Sequence, residues 1–248
     1  MLLSSDESRD EIAPIVRARM PTAQIESERA WRDRQGGGIE PSALDPLRES
    51  DRLIAQARRD AAELDEPSAL RRLAEAERLL SHALAVPGSS AFYAEVQLQL
   101  GVTAAQLGLD GLAEASFARA ARLDPRRRLL AGEAPPTVVS LAARVFDRAS
   151  AAPEGEVRIV TDPIGARVFL DEVERGNAPV IVRARSGVHS LRIEAPGHVA
   201  YGVLFELEEG RRPDVSVALT IDPRVSAIAR LSTLLRVASP DALVRAAR

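Results

Sequence analysis

The chain has 248 residues, which is long enough for more than one compact domain, since single domains usually run to about 100–150 residues. Apolar residues make up 46% and charged residues 28%, the balance of a folded protein, whereas aromatic residues reach only 3%. The formal net charge of −3 gives no overall positive field that would attract DNA, RNA or an anionic bilayer. We therefore expect no nucleic-acid partner, and the scarcity of aromatic rings argues mildly against a glycan site.

The sequence contains no cysteine, which excludes disulfides, thiolate metal sites and cysteine nucleophiles. No run approaches the roughly 20 apolar residues that span a bilayer, so we expect no membrane insertion of this chain. Residues 1–7 lack the basic and apolar regions of a signal peptide. This start predicts a cytoplasmic location unless an export signal has been removed.

Residues 1–45 form an N-terminal segment that we interpret as a possible small βα unit. Leu2 and Leu3 suggest a short strand, apolar residues between 12 and 20 have helical spacing, and residues 23–26 suggest a second strand. Trp31 is the single tryptophan of the chain. We favour packing of this side chain on the helices over a role as a surface anchor.

Apolar residues at helical spacing predict a helical region over residues 46–149. Short turns rich in proline, glycine and serine separate the helices, a pattern typical of antiparallel helical hairpins. The predicted helices are 46–64, a second from the cap at 65–68 to Pro87, a third that carries Tyr93 to Ala104, a fourth at 112–123, and a covering helix at 137–148.

Within this region, residues 94–127 resemble one tetratricopeptide repeat. The matching positions are Leu100, Gly101, Leu107, Gly108, Ala113, Phe117, Ala120 and Pro125. The upstream pair of helices keeps only Ala76, Leu80 and Ala83 of the pattern, and Gln97 and Ala104 replace bulkier residues of the family. The resemblance implies a groove lined by the first helix of each hairpin. Its partner-facing positions would be Glu95, Leu98, Val102 and Gln106, unless these residues pack on a neighbouring helix.

After a linker of small residues at 149–155, the periodicity changes from helical to alternating. Short runs of apolar residues at even spacing, separated by turn residues, are typical of a small sandwich or barrel. The predicted strands are 157–159, 168–170, 180–182, 188–193, 203–207 and 215–219.

Residues 156–222 resemble a PEGA domain along their whole length. The resemblance is carried by the sequence from Val157 through Pro163-Ile164-Gly165-Ala166 to Asp171, then by Gly176 to Pro179, Gly187 to Leu191, and Gly197-His198. Ile164 departs from the tetrapeptide that names the family, and Ala178 replaces a frequent threonine, but both are loop positions. The resemblance implies a β-sandwich and a bacterial protein associated with the envelope or surface. The expected location is therefore the bacterial cell envelope, periplasm or surface, if an export signal has been removed, and the cytoplasm otherwise. We expect turns at positive φ at Gly187 and Gly197.

The sequence carries no recognisable catalytic or metal-binding motif. His82, His189 and His198 have no second histidine or carboxylate at metal-ligand spacing, and the sequence has no serine-hydrolase elbow, P-loop or dinucleotide fingerprint. A solvated hairpin explains Asp171, Glu172 and Glu174 better than a calcium site. We predict no catalytic, cofactor-binding or metal-binding residues, and no cofactor.

The sequence thus predicts an α+β multidomain chain, in which TPR-like hairpins precede a small antiparallel β-sandwich and a C-terminal helix. The predicted segments are 1–45, the helical domain 46–149, the sandwich 156–222 and an amphipathic helix 223–248. The expected function is a non-catalytic interaction or scaffolding module of the bacterial cell envelope, with an unidentified protein partner. The alternatives are a carbohydrate or cell-wall binding module, or a regulatory segment of a larger enzyme such as a kinase.

Overall fold

The structure, a computed structural model, describes residues 2–4, 25–27 and 41–223. Of these, residues 41–195 and 200–219 form one compact unit. The remaining described residues fall into a second unit. The four predicted segment boundaries stay a prediction.

The second unit contains two short strands, β1 (Leu2–Ser4) and β2 (Ile25–Ser27), which pair in parallel with Leu2 opposite Ile25. Both strands fall where the sequence predicts them. In the same unit, the Val199 amide donates to the Thr220 carbonyl at 2.8 Å. The helix predicted between residues 12 and 20, Trp31, and the amphipathic helix predicted beyond Pro223 lie outside the described residues.

The large unit begins with a 3-10 turn, Pro41–Leu44, and five α-helices. The helices are α1 (Asp45–Ala62), α2 (Glu66–Ser81), α3 (Ser89–Gln106), α4 (Asp110–Leu123) and α5 (Pro136–Ser150). The Asp65 side chain caps α2 by accepting from the Ser68 amide at 3.2 Å, as the cap sequence predicts. All five predicted helices are confirmed, but α2 ends six residues before Pro87, and turn geometry fills the interval.

The helices pack as two hairpins, α1 with α2 and α3 with α4, and α3 also contacts α1, α2 and α5. Two apolar clusters result. The first joins α1, α2 and one side of α3, and the second joins the other side of α3 to α4 and α5. Val138, Ala142, Val145 and Phe146 of α5 lie in the second cluster, so this helix covers the end of the array as predicted.

Gly101 of α3 and Phe117 of α4 set how closely the two helices of the second hairpin pack. Phe117 is fully buried, and a Cβ atom on Gly101 would lie 2.5 Å from its ring. Real carbon atoms do not approach so closely, so only glycine allows this contact. The Phe117 ring therefore packs directly against the backbone of α3, the other helix of its hairpin.

Seven strands form two sheets after α5. One sheet has the order β6-β3-β9 and the other β5-β4-β7-β8. The strands are β3 (Glu154–Asp162), β4 (Arg167–Leu170), β5 (Val173–Asn177), β6 (Val180–Arg185), β7 (Gly187–Glu194), β8 (Tyr201–Leu207) and β9 (Asp214–Ala218). All neighbours are antiparallel except β3 and β9, which are parallel.

The sandwich core follows from alternation along the strands. In β3, for example, Val157 and Ile159 are fully buried while their neighbours face outward. Apolar residues of both sheets meet in one cluster that includes Leu170, Leu191 and Leu207. The α+β fold class is confirmed, with the helices N-terminal to the strands. The positive φ values of Gly187 and Gly197 also agree with the prediction.

Two local expectations change. The linker expected at 149–155 shortens to residues 151–153, because α5 continues to Ser150 and β3 starts at Glu154. The predicted strands also did not include β5, since its residues are all exposed and carry no alternation. Its strand character comes from the backbone ladder with β4.

Replacing Gly101 by Ala is expected to destabilise the protein by about 1–3 kcal/mol, because the new methyl group overlaps the Phe117 ring. Gly111 of α4 is the matched control, since it is also helical and nothing lies within 4 Å of the position that an added methyl group would take. Gly111→Ala should leave stability unchanged or raise it by up to about 1 kcal/mol. Urea denaturation would measure both. Equal effects of the two substitutions would contradict the packing argument.

Candidate partner-binding groove

One stripe of α3 faces outward between the hairpins. Glu95, Gln99, Val102 and Gln106 follow one another at intervals of four, three and four residues, so they share one face of the helix. The rest of α3 is almost entirely buried, including its polar residues Gln97 and Thr103. This stripe is therefore the part of α3 that a partner can reach.

Gln99, Val102 and Gln106 of this stripe, together with Thr103, form one wall of a depression of about 450 Å³, which we call the α1–α3 groove. Small apolar side chains of α1 form the opposite wall, and amide and charged side chains stand at the rim. The lining residues are Ala57, Arg58, Ala61, Ala62, Leu73, Gln99, Val102, Thr103, Gln106 and Glu133. The groove thus combines an apolar base with polar groups that accept and donate hydrogen bonds.

A chain of four charges runs along one end of the groove. Arg58 pairs with Glu95, and the other oxygen of Glu95 accepts from Arg127 Nε at 2.9 Å. Arg127 also reaches Glu133, with Nη2 to Oε1 at 2.8 Å and Nη1 to Oε2 at 3.1 Å. Because these side chains come from α1, α3 and the segment before α5, the ion pairs join three elements around the groove.

The ion pairs change the acidity of their members. Hydrogen bonding to Arg127 holds the pKa of Glu133 below its ordinary value, and the Leu130 amide adds a further bond at 2.7 Å. The same contact raises the pKa of Arg127. Both groups are therefore charged at neutral pH, and the rim of the groove keeps a fixed pattern of charge.

The structure places the four sequence-predicted residues in different environments. Val102 and Gln106 line the groove, although Val102 is only 8% exposed, and Glu95 shares their face of α3 without lining the groove. Leu98 is fully buried in the cluster shared with α4 and α5. The assignment of all four to a partner-binding surface stays a prediction.

Residues that the sequence pattern did not single out complete the groove. Gln99 belongs to the same stripe and could have been found from helical spacing alone. Arg58 and Glu133 could not, because they lie on other elements, 37 residues before Glu95 in the case of Arg58. Only the fold brings them together.

A buried polar cluster lies beneath α3, where Gln97 departs from the tetratricopeptide pattern. Glu77 of α2 accepts from the Tyr93 hydroxyl at 2.7 Å and from Gln97 Nε2 at 2.9 Å. Burial, reinforced by the bond to Glu77, raises the pKa of Tyr93. Gln97 Nε2 thus donates to the partly exposed Glu77 carboxylate, while Gln97 Oε1 is buried without a partner.

The three histidines occupy dissimilar sites. His82 is exposed at the end of α2, and His198 lies next to the Pro196 carbonyl at 2.9 Å. His189 is buried on β7, with Nδ1 2.6 Å from Asp171 Oδ2 and Nε2 2.6 Å from the Arg185 carbonyl. Among the residues that the structure describes, no group of three or more His, Cys, Asp or Glu side chains could hold a metal ion.

Asp171 and Glu172 are not simply solvated, in contrast to the hairpin expected from the sequence. Asp171 accepts from the Ser190 amide at 2.9 Å, and Glu172 pairs with Arg192 at 3.1 Å. Glu174, on the exposed strand β5, does fit the expectation. The difference arises because the first two residues lie against other elements of the fold.

The lowered pKa of Glu133 predicts a specific loss of stability in acid. A carboxylate with a lowered pKa stabilises the fold above its ordinary pKa of about 4.3 and loses that contribution as the pH falls through its folded-state pKa. The wild-type protein should be more stable than Glu133→Gln by at most about 1 kcal/mol at pH 7, since the pair is partly exposed. The difference in stability between the two proteins should decrease as the pH falls and disappear below the lowered pKa of Glu133.

Urea midpoints measured between pH 3 and pH 7 would test this, with Glu174→Gln as the control on an exposed strand. A difference between wild type and Glu133→Gln that stays constant with pH would exclude the ion pair as its source.

Comparison with known proteins bears on the second half of the chain. No curated protein matches the chain. Within the described part, no helix is both long enough and apolar enough to cross a membrane. Residues 154–222, from the start of β3 to just beyond β9, match the family model of the PEGA domain.

Proposed function

We propose that this chain is a non-catalytic protein-interaction module of the bacterial cell envelope, in which the α1–α3 groove receives a segment of a partner protein. The helices act as TPR-like hairpins in this proposal, and the PEGA domain is the second half of the same scaffold. The observation that carries it is the chemistry of the groove.

An extended polypeptide suits this groove better than a small polar molecule. Gln106 offers one acceptor and two donor protons, and Gln99 offers its acceptor and the one donor proton that is not used by Glu95, to which Gln99 Nε2 donates at 2.9 Å. Both amides thus complement a peptide group. Ala57, Ala61 and Val102 offer an apolar base for an aliphatic side chain of the partner. The two amides lie about two helical turns apart on α3, a rise of roughly 10 Å, which matches about three residues of extended chain.

The envelope assignment rests on the PEGA match over residues 154–222. A carbohydrate-binding role has less support, because Tyr201 is the only exposed Phe, Tyr or Trp side chain among residues 41–223. Sugar rings usually stack on exposed aromatic side chains. The same groove would also suit a regulatory role within a longer protein. The crosslinking experiment below distinguishes that role from the scaffold role.

Photo-crosslinking in cells of the native organism would test the proposal. A photo-reactive amino acid in place of Gln106 lies at the groove, whereas the same residue in place of Ala118 lies on the exposed side of α4. We expect the Gln106 position to capture one specific envelope protein that the Ala118 position does not.

The competing roles give different results. Crosslinks only to a catalytic domain of the same polypeptide would favour the regulatory role. Binding of the purified chain to a glycan array, without a captured protein, would favour the carbohydrate role. Equal capture from both positions would mean that the groove is not the site of interaction.

A further inference from the structure

The first turn of α3 lacks a cap from its own sequence. Gly88 occupies the N-cap position in the left-handed conformation and offers no side chain, and the first turn contains no acidic residue. The hydroxyl oxygens of Ser89 and Ser90 are buried without a hydrogen-bond partner. The Ser89 and Ala91 amides donate to the Val86 and Gly88 carbonyls, each at 3.1 Å, so it is the Ser90 amide that takes a partner from elsewhere in the fold.

A carboxylate of the sandwich supplies the partner of the Ser90 amide. The Ser90 amide donates to Glu172 Oε1 at 3.3 Å, across 82 residues of sequence. Glu172 lies in the turn between β4 and β5, so its negative charge sits at the positive end of an 18-residue helix. A negative charge in this position both satisfies a free amide and interacts favourably with the helix dipole.

The turn that carries Glu172 is held in an uncommon conformation. Asp171 and Glu172 have φ values of 49° and 63°, which cost free energy in residues other than glycine. Side-chain contacts of both residues offset this conformational cost. Asp171 accepts from the Ser190 amide and contacts His189, while Arg192, itself 7% exposed, pairs with Glu172. The strained turn is thus fixed from the interior of the sandwich.

Two further contacts join the helices to the sandwich within the same compact unit. A Cβ atom on Gly202 of β8 would lie 2.1 Å from the backbone of Leu84 and Ala85, so the strand lies directly on the segment after α2. Arg122 of α4 donates to the Ala149 carbonyl at 2.9 Å and lies beside Gly187 of β7. The helices and the sandwich therefore meet at three separate places.

We propose that the β4–β5 turn is the N-terminal cap of α3, and that the sandwich thereby holds the helix that carries the groove stripe. The PEGA-matching sandwich then positions the helix that carries the groove stripe and is not an independent neighbour of the helices. The consequence for the groove rests on the proposed function, whereas the capping contact does not.

Hydrogen exchange of the full chain, followed by mass spectrometry, would test the contact. Removing a helix cap costs about 0.5–2 kcal/mol, so Glu172→Ala should speed exchange in peptides that cover Ser89 to Tyr93 by about twofold to thirtyfold. Glu174→Ala removes the same charge from the exposed strand next to the turn and should leave this exchange unchanged. Glu172→Gln keeps an acceptor but loses the charge, so we expect an intermediate rate.

The outcomes separate this inference from the proposed function. Equal exchange at the start of α3 in the Glu172→Ala and Glu174→Ala proteins would overturn the capping role, whatever the groove binds. Faster exchange in Glu172→Ala, together with weaker photo-crosslinking from the Gln106 position, would support both. Faster exchange with no captured partner in any variant would support the cap and contradict the proposed function.

Discussion

The burial of α3 on nearly every side is the constraint on which the rest of the large unit depends. Twelve of its 18 residues are buried, and they include Val96 and Leu100 on one side of the helix and Leu98 on another. A helix with apolar side chains on most of its faces must be enclosed by other elements. The hairpin of α1 and α2 covers one side, and α4 with α5 covers the other. The groove stripe remains as the narrow polar strip between these covers.

This enclosure also explains how polar groups come to lie deep in the helical array. Gln97 and Tyr93 face α2, where the Glu77 carboxylate accepts from the Tyr93 hydroxyl and from Gln97 Nε2, whereas Gln97 Oε1 is buried without a partner. A buried polar group without such a partner would cost about 1–3 kcal/mol. At the rim of the groove, each charged side chain in the series Arg58, Glu95, Arg127 and Glu133 pairs with one of opposite charge.

Local sequence patterns were sufficient for most of the fold but not for the contacts between distant elements. Helical spacing predicted all five helices, and alternation predicted six of the seven strands of the sandwich. Strand β5 was not predicted because all five of its residues are exposed, so their sequence has no alternation that would distinguish a strand from a loop. Leu98 was assigned to a surface from its register on α3, yet α4 and α5 cover that side. Such covering depends on the tertiary packing of helices that local spacing does not position.

The junction at Glu172 shows the same dependence on tertiary packing, with a consequence for function. In the sequence alone Glu172 is one acid of a polar hairpin, and only the fold brings it to the start of a helix 82 residues earlier. Because α3 has neither a capping side chain nor an acid in its first turn, the sandwich provides what a self-sufficient helix would encode locally. A helical array that bound its partner independently would gain nothing from this dependence. Under the proposed function, an array whose central helix takes a first-turn contact from the sandwich would bind its partner together with the sandwich, and a change in the β4–β5 turn would reach the groove through α3.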